Sequence, residues 1–122
     1  FLKEQNLNDN VRLNKSFQSK EKCKLLLVNK ENAHGLNKNI GDFFLQKGYV
    51  KRWHPNKKIL FYSGIQILSL KIFKNYPLKN FSFNLIWDDL ILENSLQGII
   101  MNSQFYHVGD QKSLKKTINS TT

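Results

Sequence analysis

At 122 residues the chain is the size of one modest domain. Its 19 Lys and Arg against 9 Asp and Glu give a formal net charge of +10, which disfavours cationic partners and favours nucleic acid, a membrane surface or a phosphorylated small molecule. The single cysteine, Cys23, excludes an internal disulfide and a cysteine-based zinc site, and no apolar run approaches the roughly 20 residues of a membrane span.

The polar residues are mostly Lys and Asn, and Arg occurs only at Arg12 and Arg52. That is a compositional bias as much as a binding signal. The lysines are spread along the chain, whereas nucleic-acid sites favour Arg and stacking aromatics in an organised patch. Direct nucleic-acid binding is therefore not expected, and a small basic nucleic-acid- or polyanion-binding module stands as the alternative reading. The chain opens at Phe1, with no basic segment leading into an apolar one, so no signal peptide is read. The expectation is a soluble, cytoplasmic protein that is a processed chain or a fragment.

Residues 1–22 are polar; Asn8 or Asp9 is a candidate cap for a short helix carrying Val11, Leu13 and Phe17, though the period is poor. "CKLLLV", residues 23–28, has the apolar run of a buried strand, with Cys23 as a small buried hydrophobe. "NKENAHGLNKNIG" reads as a loop. "DFFLQKGYVKRW", residues 42–53, reads as a hairpin turning at Gly48, and "HPNKK" as a second turn. "ILFYSGIQIL", residues 59–68, is the strongest strand, with Gly64 marking a bulge or a close approach. Ser69 is placed to cap one helical turn ended by Pro77.

Residues 82–96 carry the best helical pattern. Phe83, Ile86, Trp87, Leu90 and Ile91 share a face, Ser82 or Asn84 is the cap, and Gly98 lies just beyond the end. "GIIMNSQFYHV" reads as one further strand, and Asp110 as the cap of a last short helix with Leu114 and Ile118. Strands interleaved with helices, plus one hairpin, argue α/β. The few strands suggest part of a larger sheet.

No phosphate-cradling Gly loop, H-E-x-x-H or paired-Cys spacing is present. His34, His54 and His107 are far apart in sequence and fall in no carboxylate–His–nucleophile order. Asp88 and Asp89 are neighbours on a helix, pointing about 100° apart, and read as a solvated face.

Several segments nevertheless occur together in a recognisable order. "CKLLLVNKENAHG", "IGDFFL…KGYVKRW", "LFYSGIQILSLKIF" and "FSFNLIWDDLILENSLQGIIMNSQFYHVGDQKSL" resemble the C-terminal half of the sugar-phosphate nucleotidyltransferase family, in particular its short bacterial mannose-1-phosphate guanylyltransferases and N-acetylmuramate-1-phosphate uridylyltransferases. The likeness covers roughly residues 23–117. It implies the C-terminal, sugar-side half of a Rossmann-like α/β fold with a mixed central sheet. Residues 1–122 would then be part of one domain whose N-terminal nucleotide-binding half is absent. It also implies an enzyme that takes a nucleoside triphosphate and a sugar 1-phosphate to an NDP-sugar and pyrophosphate with Mg²⁺.

By that resemblance Gly41 is the glycine whose backbone approaches the sugar, although a turn glycine is the plain alternative. Asp42 follows it and either joins the substrate site or only starts the strand. Lys51 and Arg52 stand where a charged pair lies near the sugar phosphate, and a cation there suits a dianion; a solvated hairpin end is equally open. Ser63 and Gly64 match the strand lining the sugar pocket, and Asn84 is better explained by capping. Many family members have a metal-binding Asp at the position of His107, and Thr is common at that of Asp110. Imidazole is a poor Mg²⁺ ligand, so His107 is a metal ligand, a contact to phosphate or metal-bound water, or a strand end. Asp110 is a carboxylate for the metal or a helix cap.

Overall fold

The first 22 residues, unpromising by periodicity, contain a helix longer than the one with the best pattern. The computed structural model describes residues 3–36, 38–74, 76 and 82–106. In it helix α1 spans Lys3–Ser16. Neither Asn8 nor Asp9 caps it, because both lie inside it. Its period is poor for a physical reason: at positions four apart, one buried residue is Asp9 and the other is Leu13.

Among the described residues seven strands follow: β1 Cys23–Asn29, β2 Ala33–His34, β3 Phe43–Gln46, β4 Tyr49–Arg52, β5 Leu60–Leu68, β6 Leu96–Ile100 and β7 Phe105–Tyr106. Helix α2, Phe83–Leu92, stands between β5 and β6. The class is α/β with a mixed sheet. Strand β1 pairs antiparallel with β5 and parallel with β6, from Cys23↔Leu96 to Leu27↔Ile100. Strand β3 pairs with β4 along its length and touches β5 at Phe43↔Leu60. The tip of that hairpin curls over to β6 at Tyr49↔Gln97, so the five long strands close on themselves in the order β1-β5-β3-β4-β6. The two short strands, β2 and β7, form a separate parallel pair.

The unbroken apolar run of β1 is explained by cover on both faces. Leu25 and Leu27 join one core with Phe43, Val50, Leu60, Leu96 and the α2 residues Ile86, Trp87 and Leu90. Leu26 and Val28 face the other way, into a second core with Leu13 of α1, Phe61 and Met101. Each such side chain contributes about 1.5–3 kcal/mol by leaving water.

The hairpin turns at Lys47-Gly48, with φ of 54° and 83°, the paired positive values of a two-residue turn that matches strand twist. Ser82 is the cap of α2, accepting the Asn84 N–H at 3.1 Å. The helix ends at Leu92, short of the expected residue 96, because Asn94 takes the left-handed conformation at φ 56°. Gly98 is consequently a strand residue of β6. A Cβ there would come within 2.8 Å of Val50 Cγ2, so the hairpin can cross β6 only over a glycine. Ser69 does cap a 3₁₀ turn, Leu70–Lys74, its hydroxyl oxygen accepting Lys71 N–H at 3.3 Å; Pro77 is outside the described residues. The expected loop after β1 holds a 3₁₀ turn, Lys30–Asn32, and β2. "GIIMNSQFYHV" is not one strand: β6 stops at Ile100 and β7 starts at Phe105. The expected last helix, with Asp110, lies outside the described residues.

Candidate functional site

Of the residues expected on the sugar side, Asp42 and Arg52 come together where β3 meets β4 and β5, whereas Ser63 and Gly64 lie in a bulge of β5 facing β1. Asp42 ties the three strands together. Its N–H donates to the Leu60 carbonyl at 2.9 Å, its carbonyl accepts Trp53 N–H at 3.3 Å, and its carboxylate accepts the Tyr62 N–H at 2.9 Å. A carboxylate takes a backbone donor here where a third strand would otherwise continue the ladder. Gly41 beside it is a close-approach glycine: a Cβ would fall 2.9 Å from Trp53 Cδ1 and 3.3 Å from Ile59 Cα.

Arg52 is engaged by α2. Its Nε donates to Asp88 at 2.8 Å, its Nη2 reaches the side-chain and main-chain oxygens of Asn84 at 3.0 and 3.3 Å, and its guanidinium lies 5.0 Å from the Phe43 ring centroid. The guanidinium is thus fixed in orientation, and a phosphate drawn to it competes with Asp88. Lys51 donates to Asn94 at 2.9 Å. Asn84 does not cap α2; its side chain holds Arg52.

Ser63 and Gly64 form a bulge in β5. The pairing shifts between Leu25↔Gln66 and Leu27↔Tyr62, leaving three β5 residues opposite Leu26. The Ser63 hydroxyl stands in for the lost ladder bond, donating to the Leu26 carbonyl at 2.7 Å and accepting Ile65 N–H at 3.2 Å. Gly64 sits at φ +91° with no heavy atom within 4 Å of where a Cβ would be. Its surroundings are open, so the backbone conformation alone demands glycine. Tyr62 packs edge-on against Trp87, and burial pushes its phenol up to about 12, helped by nearby Cys23. It therefore remains a neutral hydroxyl at physiological pH.

A second constellation was not expected from the sequence. Strands β1 and β6 run parallel, and ligands of α/β sheets gather beyond the C-terminal ends of such strands. There the short β2–β7 pair carries His34 stacked on Tyr106, centroids 4.7 Å apart and planes 17° apart. His34 Nε2 meets Gln104 Oε1 at 2.6 Å, and Gln104 Nε2 donates to Asn32 Oδ1 at 3.1 Å. The only sequence signal was that His34 lay in a loop after a buried strand.

His107 and Asp110 lie outside the described residues. Among the described residues, no three His, Cys, Asp or Glu side chains come together to hold a metal ion. No helix among them is long and apolar enough to cross a membrane. A cleft of about 530 Å³ lies elsewhere, between the α1–β1 connection and α2. It contains none of the expected residues. Its acids are partnered, Glu93 by Lys22 at 2.8 Å and Asp89 by the Tyr76 hydroxyl, and its walls balance in sign. Chemistry is better sought at the strand junction. The sequence matches no known protein family and no curated protein.

Proposed function

We propose that the chain is the sugar-side part of a cytoplasmic sugar-1-phosphate nucleotidyltransferase, with a Rossmann-like nucleotide-binding half outside these residues. One observation carries this reading. The segments that resemble the family, scattered over the sequence, meet through the residues singled out in each. Asp42 of "IGDF" binds the backbone of "LFYSGI", Ser63 of that strand binds Leu26 of "CKLLLV", and Arg52 of "YVKRW" binds Asn84 and Asp88 of "FNLIWDDL".

In the proposed reaction a sugar 1-phosphate oxygen attacks the α-phosphorus of a nucleoside triphosphate and pyrophosphate leaves. Gly41, Asp42, Ser63 and Gly64 would bind and orient the sugar. Gly64, open where a Cβ would stand, would let backbone come close to a sugar ring, and the bulge at Ser63–Gly64 would offer main-chain groups to sugar hydroxyls. Arg52, already held in one orientation, would face the sugar phosphate with little rotamer freedom left to lose. Bound Mg²⁺ would neutralise charge on the phosphates; His107 and Asp110 remain the residues proposed for its neighbourhood.

The test is turnover. A version extended upstream is assayed for pyrophosphate release with Mg²⁺, each nucleoside triphosphate and a panel of sugar 1-phosphates. Release with at least one pair is expected, and none from the 122-residue chain alone, which has no Gly-rich phosphate loop. Silence with every pair would leave the basic-module alternative, which is supported only by the +10 charge.

A further inference from the structure

The carboxylate of Asp9 has no part in the reading above, yet it is the most thoroughly bonded acid among the described residues. Asp9 lies midway along α1 and is 2% exposed. Its oxygens accept the Asn102 N–H at 2.9 Å, the Ser103 N–H at 3.1 Å, the Ser103 hydroxyl at 2.5 Å and the Arg12 guanidinium at 3.1 Å. The same guanidinium reaches the Ile100 carbonyl. One turn along α1, Leu13 is sunk among Leu26, Val28, Phe61 and Met101. These contacts weld α1 to one stretch of chain, residues 100–103.

That stretch is where the sequence predicts a continuous strand and the structure breaks it. Backbone N–H groups in a strand need acceptors. At Asn102 and Ser103 the acceptor is a side-chain carboxylate, not a neighbouring strand. The chain therefore leaves the β1–β6 ladder there, and β7 is set apart to pair with β2. On that pair sit the His34–Tyr106 stack and the Gln104 bridge to Asn32.

We infer that Asp9 is a positioning residue: through its carboxylate, α1 breaks the last strand and sets the β2–β7 edge beyond the C-terminal ends of β1 and β6. This positioning role does not rest on the nucleotidyltransferase reading.

The test uses the 122-residue chain with no substrate. In the native protein the His34 ring protons are shifted upfield by the Tyr106 ring stacked on them. In Asp9→Asn the fold of the barrel is expected to persist. The His34 resonances should move toward their unstacked positions, and amide exchange at 33–34 and 105–106 should rise about tenfold while β1 and β5 keep their protection. Unmoved His34 resonances, or equal acceleration in β1 and β5, would overturn the inference, since Asp9 would then serve stability alone. If Asp9→Asn does not fold, Ser103→Ala removes one of the donors and is read the same way, with a smaller displacement in the same direction expected and none overturning it. Because no sugar phosphate enters, failure here and failure of the turnover assay are separate results.

Discussion

At the scale of single residues, the β5 bulge turns on the backbone conformation of Gly64. Gly64 was read as a bulge or a close approach, and it is a bulge glycine at φ +91° in open space. Gly64→Ala is therefore expected to cost roughly 1–2 kcal/mol from backbone strain alone. Urea unfolding would measure it, and Gly64→Asn should lose less, since Asn tolerates that conformation. Arg52 was legible as a cation but not as a paired one, because Asp88 and Asn84 are over thirty residues away and their approach depends on how α2 docks. Cys23 was read as a buried hydrophobe. Its thiol is pushed up from about 9 to about 12 chiefly by burial, against the lowering effect of a bond from Trp87. As pH rises the unfolded chain loses this proton first, so the thiol's contribution to stability is complete below about pH 9 and falls as pH climbs toward 12. Alkylating reagents at pH 8 should leave Cys23 unmodified in the folded chain and label it in urea. Rapid labelling without denaturant would contradict the packing described.

At the scale of elements, local chemistry was readable and long-range chemistry was not. The β3–β4 hairpin announced itself by Gly48, the buried strand β1 by its apolar run, and α2 by its spacing and Ser82. The break between β6 and β7 could not be read, because its cause is a carboxylate 93 residues away. Helix α1 was obscured by the same residue, which places a charge where a helical pattern expects an apolar side chain. That charge sets a pH signature. Burial raises the Asp9 pKa, but hydrogen bonds from Asn102 and Ser103 and the Arg12 charge outweigh it and hold the carboxyl below its usual range. A group with its folded value depressed stabilises above its unfolded value, about 3.9, and that contribution is lost as pH falls through the folded value. The difference in Tm between the native chain and Asp9→Asn should be the same at pH 7 and pH 5 and shrink below about pH 4. A difference that already fades at pH 6 would mean the carboxylate is not held as described.

At the scale of the whole molecule, the α/β class follows from the order of elements, whereas the mixed sheet was an expectation from the family resemblance alone. The closure of the sheet follows from neither, since it depends on the hairpin tip crossing β6 at Tyr49↔Gln97, over Gly98. The contacts that join the segments of the proposed site come instead from β3 against β5, β1 against β5 and the docking of α2. The most direct measurement is to titrate the isotope-labelled 122-residue chain with sugar 1-phosphates and follow its amide resonances. Binding is expected to be weak, about millimolar, with the largest shifts at Gly41, Asp42, Arg52, Ser63 and Gly64 and smaller ones with the unphosphorylated sugar. Shifts confined to scattered lysines, matched or exceeded by a short oligonucleotide and abolished by modest salt, would contradict a sugar-side site and favour a basic binding module.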